Sequence, residues 1–157
     1  MAKKRISVFG GSKGGNSSIH CDIARELGQT LAKNDFHVLW GGGHQPDTVM
    51  GELMRGVEMA NGVMTACIYK KWHDESAQYP DCVRNVELFD TEDARFQRFL
   101  SASAHFALSG GDGTIEEIIR TNNELVYHDR KKPAQILIDP AGLYTGLLTS
   151  FGMVAQH

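Results

Sequence analysis

The sequence predicts one α/β domain spanning residues 1–157, built as a Rossmann-like, doubly wound parallel sheet with helices on both faces. Three observations predict it. Short β-rich runs alternate with amphipathic helical stretches along the chain, the rhythm that parallel strands and their crossover helices require. Three of those runs end in glycine clusters, as strands of such sheets do where they turn into ligand-bearing helices. No repeat, linker or low-complexity segment interrupts the pattern.

Arg5 to Gly11 (RISVFGG) reads as the first strand and its turn. Ser17 to Asp35 follows as a helix, with Ile19, Ile23, Leu27 and Leu31 four apart on one face. Phe36 to Gly43 (FHVLWGGG) is the second strand. Thr48 to Gly62 is the second helix, closed by Asn61 and Gly62, which tolerate the left-handed conformation of a helix end. Val63 to Tyr69 and Asn85 to Asp90 supply the third and fourth strands. In the next helix, Glu92 to Ala104, Phe96 and Phe99 suit either the core or a subunit interface. His105 to Gly111 is a strand, Thr114 to Asp129 a helix and Ala134 to Pro140 the last strand; Gly142 to Gln156 adds a closing helix.

Composition narrows the function classes. A hydrophobic content of 41% is ordinary for a globular protein and sufficient for one core. A net charge of -3 and a pI near 6.1 argue against a broad basic surface for nucleic acid. No apolar run has signal-peptide or membrane-spanning length, so neither a membrane nor nucleic acid is an expected partner. Cys21, Cys67 and Cys82 are odd in number and lack metal-type pairing, which suits reduced thiols in a cytoplasm. The seven histidines are scattered without ligand spacing. No metal and no cofactor is expected.

The three glycine turns carry the functional signal. They comprise Gly10 and Gly11 with Ser12, then Gly41, Gly42 and Gly43, then Gly110, Gly111 and Gly113 with Thr114. In a parallel sheet all three fall on one edge. Glycine lets backbone N–H groups approach a phosphate, and a helix N-terminus adds partial positive charge. One such cluster can be only a tight turn; three on one edge point to a small phosphate-bearing ligand. The dinucleotide spacing G-x-G-x-x-G is absent from GGSKGG, as is the Walker pattern. Lys13 either reaches that phosphate or faces solvent. His44 and Asp47 read as a surface turn, Trp40 and Cys67 as core.

Glu116 and Glu117 follow the third turn at once, in the expected first turn of their helix. Acids there complement the helix dipole. Neighbouring helical residues point about 100° apart, so one of the two faces the turn. A carboxylate beside a phosphate site suits the uncharged part of the ligand, and adjacent sugar hydroxyls are natural donors to it.

The run SGGDGTIEE, Ser109 to Glu117, resembles the P-G-G-x-G-T-x-x-E motif of the Lonely Guy family, the cytokinin riboside 5'-monophosphate phosphoribohydrolases. ISVFGGSKG, VLWGGG, MGELMRGV and ILIDPAGLYTGLL are similar to further segments of that family. The resemblance implies a catalytic role for Glu117 and a phosphate-binding one for Gly110, Gly111, Gly113 and Thr114. It makes Arg95 the nearest equivalent of the catalytic arginine, with Arg98 one helical turn on. The implied reaction is cofactor-free hydrolysis of a nucleoside 5'-monophosphate, AMP or a cytokinin riboside monophosphate, to free base and ribose 5-phosphate. A homodimer with shared sites is implied too, and the RFQRFL helix suits its interface. The sequence departs from the family pattern at Ser109, where the family has proline. It departs again in the loop GGGHQPDTVMG, two residues longer, and in DTEDARFQRF, which lacks the Arg-Lys pair of the motif M-x-x-R-K. Glu124 stands where tryptophan is frequent. These departures keep open an alternative on the same fold, a non-catalytic carrier of a nucleotide or of molybdenum cofactor.

Overall fold

The computed structural model describes residues 3–13, 17–127 and 133–150. Its elements run β1 Arg5–Phe9, α1 Ser18–Lys33, β2 His37–Trp40, α2 Val49–Met59, β3 Val63–Tyr69, a 3₁₀ turn Lys70–Trp72 and β4 Val83–Phe89. After these come α3 Glu92–Leu100, β5 Ala104–Ala107, α4 Asp112–Tyr127, β6 Ala134–Leu137 and α5 Thr145–Ser150. The strands form one six-stranded sheet in the order β4-β3-β2-β1-β5-β6, and every pairing is parallel. The α/β Rossmann-like architecture is therefore as the sequence predicts.

Period-two alternation sets the layers. Ile6 and Val8 of β1, Val38 and Trp40 of β2, and Ala66 and Ile68 of β3 point into a core shared with α1 and α2. Phe9, Leu39 and Cys67 point the other way, against Phe96, Phe99 and Leu100 of α3. Ala107 of β5 packs with Ile118 of α4 and with Tyr144, just before α5, on that second face. Both faces are thus covered, and β4 and β6 are the exposed edges.

Two expectations change on inspection of the helices. The predicted apolar face of α1 holds in part: Leu31 is buried and Ile23 and Leu27 pack against the core, but Ile19 is 54% exposed and the other buried positions are Cys21, Ala24 and Gly28. Helix α1 crosses α2 too closely for large side chains. A Cβ on Gly28 would lie 2.3 Å from the carbonyl oxygen of Leu53, and one on Gly56 would lie 2.0 Å from that of Arg25. Small residues therefore form the contact, and the larger aliphatics flank it. Phe96 and Phe99 are buried within the chain, Phe9 meeting Phe99 edge-on at 5.4 Å. The apolar face of RFQRFL is consequently core, leaving none of its phenylalanines for a subunit interface.

The ends of elements differ modestly. Asn61 supplies the left-handed residue after α2 (φ 52); Gly62 serves by its size, since a Cβ there would lie 2.5 Å from that of Ala32. Helix α4 begins at Asp112, so Gly113 and Thr114 lie in its first turn and Glu116 and Glu117 in its second. The part of the closing helix expected beyond residue 150, and the chain at 128–132, lie outside the described residues.

Candidate active site

The sheet order reverses between β1 and β5: the chain leaves β1 toward β2 and leaves β5 toward β6. Ligands of such sheets bind at the carboxyl ends of the strands at this switch point. Two hydrogen bonds tie the glycine turns together there. Gly11 N–H donates to the Ser109 carbonyl (2.9 Å), and Met50 N–H at the start of α2 donates to the Gly11 carbonyl (3.0 Å). A cleft of ≈ 830 Å³ opens above them.

The glycines divide by the reason each is glycine. A Cβ on Gly110 would meet Thr114 Oγ1 at 2.1 Å, one on Gly10 would meet Met50 Sδ at 3.0 Å, and one on Gly43 would meet Ser12 Cβ at 2.8 Å. Gly42 adopts a φ of +95. Those four answer to the protein's own packing or backbone. Gly111 and Gly113 do not: nothing lies within 4 Å of a Cβ at either, and neither has a positive φ. Both line the cleft. Their missing side chains leave backbone N–H groups at the α4 N-terminus open to whatever enters.

Helical geometry separates the two acids. Glu116 is exposed and pairs loosely with Arg120 at 3.9 Å. Glu117 turns inward and is half-buried. Burial pushes its carboxyl up to about 7, with Glu116 adding to the rise and Arg95 and Arg120 opposing it. A group poised near neutrality in a cleft marks a candidate site. Arg95 lies across from it, held by three contacts. Its Nε donates to the Cys67 carbonyl at 2.8 Å, and its guanidinium lies 5.4 Å from the Trp72 ring centroid and 5.1 Å from that of Phe99. Burial lowers its pKa, and Glu117 counteracts that.

The cleft gathers Gly10, Gly11, Ser12, Gly41, Gly110, Gly111, Gly113, Thr114, Arg95 and Glu117 of the sequence-predicted residues. Gly42 and Gly43 belong to the turn behind it. The structure does not bring Arg98 to the cleft. Its guanidinium forms a two-pronged pair with Glu87 on β4, at 2.6 and 2.9 Å. Lys13 lines the cleft, while His44 packs edge-on against Tyr79 at 5.6 Å. Asp47 is an exposed left-handed turn residue (φ 58) and Trp40 is fully buried. Sequence reading passed over Trp72, His20, Ser17 and Arg120, all of which line the cleft. Trp72, 60% exposed beside Arg95, and His20, bonded to Ser109, carry no local motif. Among the described residues no cluster of histidine, cysteine, aspartate and glutamate could hold a metal ion. Among the same residues no helix is long and apolar enough to cross a membrane.

Known proteins are similar to this chain in sequence and in fold. A bifunctional cytokinin biosynthesis protein of Fusarium pseudograminearum is 28% identical over 96% of this chain and 34% of its own length. A cytokinin riboside 5'-monophosphate phosphoribohydrolase of Arabidopsis thaliana is 30% identical over 93% of this chain and 67% of its own. The chain thus spans about a third of the first protein and about two thirds of the second. Among solved structures, the molybdenum cofactor carrier protein of Chlamydomonas reinhardtii shares the fold, with a TM-score of 0.68 at 23% identity over 96% of this chain and 87% of that one. The description of the SLOG cluster4 family matches residues 3–132, and on that match the chain belongs to the SLOG cluster4 family, the LOG-type group that its glycine–glutamate motif resembles.

Proposed function

We propose that this protein hydrolyses the N-glycosidic bond of nucleoside 5'-monophosphates, such as AMP or a cytokinin riboside monophosphate. The observation that carries the reading is Glu117, a half-buried carboxyl raised to about 7 by burial, one helical turn past cleft-lining glycines with open space where a Cβ would stand. The name of the Arabidopsis relative supports it at the level of reaction class.

In this reading the 5'-phosphate lies against the N–H groups of Gly111, Gly113 and Thr114, with the α4 N-terminus behind it. The ribose then falls over Glu117, whose carboxylate accepts from the sugar hydroxyls. As the bond from C1' to the base lengthens, positive charge grows on the sugar, and a carboxylate fixed beside it stabilises that charge. Water adds to C1', the base leaves with a proton, and ribose 5-phosphate remains. Arg95 supports the phosphate or the departing base from the opposite wall. No metal and no cofactor enters this scheme. A homodimer also belongs to the proposal, resting on family resemblance alone. So does a cytoplasmic setting, for which Cys21, Cys67 and Cys82 give support, each a free and buried thiol.

A second reading, a non-catalytic carrier, draws on the structure holding Arg98 away from the cleft and on Ser109 in place of the motif proline. One experiment separates the two. Purified protein is incubated with AMP, GMP, CMP, UMP and a cytokinin riboside monophosphate, and free base and ribose 5-phosphate are resolved by chromatography, with Glu117→Gln in parallel. Base release lost in the variant supports the hydrolase. No release from any substrate, with firm nucleotide or pterin-cofactor binding, overturns it in favour of the carrier.

A further inference from the structure

Where the family motif has proline, this chain has Ser109, and the side chain is engaged. Ser109 is 4% exposed, and its Oγ lies 2.7 Å from Nδ1 of His20 on α1. A buried hydroxyl must donate its proton to something. Among the hydrogen bonds of the described residues the Ser109 hydroxyl has one partner, His20 Nδ1. With the hydroxyl as donor, Nδ1 accepts and the ring proton sits on Nε2, an assignment that belongs to the proposal. His20 is half-buried and lines the cleft, and no described residue hydrogen-bonds Nε2. The ring is therefore anchored at one nitrogen with a single donor left, in the same way that a partner at one ring nitrogen orients the other in metal sites.

The surroundings say what that donor meets. Ser109 immediately precedes Gly110 and Gly111, and its carbonyl accepts from Gly11 N–H at 2.9 Å. His20 thus reaches the place where the β1 turn and the β5–α4 turn are tied, beside the open glycines. Backbone and side-chain donors converge there.

We propose that His20, oriented by Ser109, is an anion-binding residue of this cleft whose Nε2–H donates to the phosphate of a phosphomonoester ligand. The pair does in polar form what a rigid turn residue alone could not. It links α1 to the glycine loop, so the two walls of the phosphate site are set together. The inference rests on the phosphate part of the proposed function and not on hydrolysis; a carrier of a phosphorylated ligand would use His20 equally.

The test uses the full chain with inorganic phosphate and ribose 5-phosphate as probes. Affinity is measured by calorimetry for wild type, His20→Ala, His20→Gln and Ser109→Ala, with circular dichroism melting as the check on folding. His20→Ala is expected to weaken ribose 5-phosphate by about ten-fold, the loss of one charge-assisted hydrogen bond. Partial recovery is expected in His20→Gln, whose amide N–H reaches to a similar depth, and an intermediate loss in Ser109→Ala. Nitrogen-15 NMR of the imidazole reads the tautomer directly. Nε2 should carry the proton in free protein and shift on adding phosphate, with Nδ1 little changed. A proton on Nδ1, or undiminished affinity in a folded His20→Ala, overturns the proposal, as does failure of the wild-type chain to bind either probe. Phosphate binding through His20 without base release sustains this inference while removing the hydrolase. Base release with an unaltered KM in His20→Ala does the reverse.

Discussion

At the scale of single residues, Glu117 joins function to stability through one titration. Its carboxyl is raised from the ordinary 4.5 to about 7 by burial, so the folded state holds its proton more tightly than the unfolded chain. The sign follows: this stabilisation is complete below about 4.5 and is lost as pH rises to about 7, a swing of at most about 3 kcal/mol. If the carboxylate is the working form, kcat/KM in the free enzyme should climb with pH along an acid limb centred near 7. Any residual release in Glu117→Gln should lack that limb. The variant should also unfold at a higher temperature than wild type at pH 8, the gap closing toward pH 4.5. Thermal melts at the two pH values check the stability half, and a flat difference would refute it. The two arginines of α3 make a second contrast. Arg95 binds the Cys67 carbonyl through Nε while lying beside the Trp72 and Phe99 rings, a combination a lysine cannot reproduce. Arg95→Ala should lower kcat/KM by about 10²–10³-fold, with no rescue in Arg95→Lys. Arg98→Ala removes a partly exposed pair with Glu87. It should cost about 1 kcal/mol of stability and leave kcat/KM within about three-fold. Equal effects at the two positions would undo the assignment of Arg95.

Among the elements, the pairing of α1 with α2 shows what sequence pattern captures and what it misses. Periodicity located every strand and helix among the described residues, because the alternation of strands with amphipathic helices leaves a parallel sheet as the economical solution. It set Ile23, Leu27 and Leu31 of α1 on the core side but missed the small residues of the helix contact, because close approach at Gly28 and Gly56 is a property of two helices and neither one records it alone. Gly28→Ala drives a Cβ toward the Leu53 carbonyl and the Val57 nitrogen, at 2.3 and 2.9 Å, which are backbone atoms without rotamers to relieve the clash. Despite the gain in helix propensity, it should destabilise by about 1–3 kcal/mol, read as a lower denaturant midpoint. An unchanged midpoint would mean the helices stand further apart. The site was legible to the same degree. Glu117 could be found because its motif and the 100° step between helical neighbours are local. Arg95 and Arg98, three apart on one helix, could not be ranked from sequence; the partner that removes Arg98 is Glu87, on an edge strand. Trp72 follows β3 on a short 3₁₀ turn and reaches the cleft only through the fold.

On the scale of the whole molecule, the cleft sits where the sheet's two halves diverge, and a ligand there touches both. The β1 turn and α1 belong to one half, the Ser109 turn and α4 to the other, and the Gly11–Ser109 hydrogen bond joins them. A ligand that binds this arrangement binds the native state alone, so its binding free energy adds to global stability by mass action. Ribose 5-phosphate at about 100 times its Kd should stabilise the fold by about 2.7 kcal/mol. For a chain of this length that is a rise of about 5–10 °C in Tm. The glycines of the third turn let this gain be separated from the fold's own stability. Gly113 lies in the first turn of α4 with open space where its Cβ would stand and with an ordinary φ. Alanine there should be tolerated by the empty protein, or stabilise it by about 0.5–1 kcal/mol through helix propensity and reduced unfolded-chain entropy. The same methyl group would occupy the approach to the backbone N–H groups. Gly113→Ala should therefore melt at or above the wild-type temperature without ligand and lose most of the ligand-induced rise. Differential scanning calorimetry with and without ribose 5-phosphate reads both quantities from one protein. A variant that melts low without ligand would mean that the glycine serves the fold. One that keeps the full ligand-induced rise would mean that the phosphate lies elsewhere in the cleft.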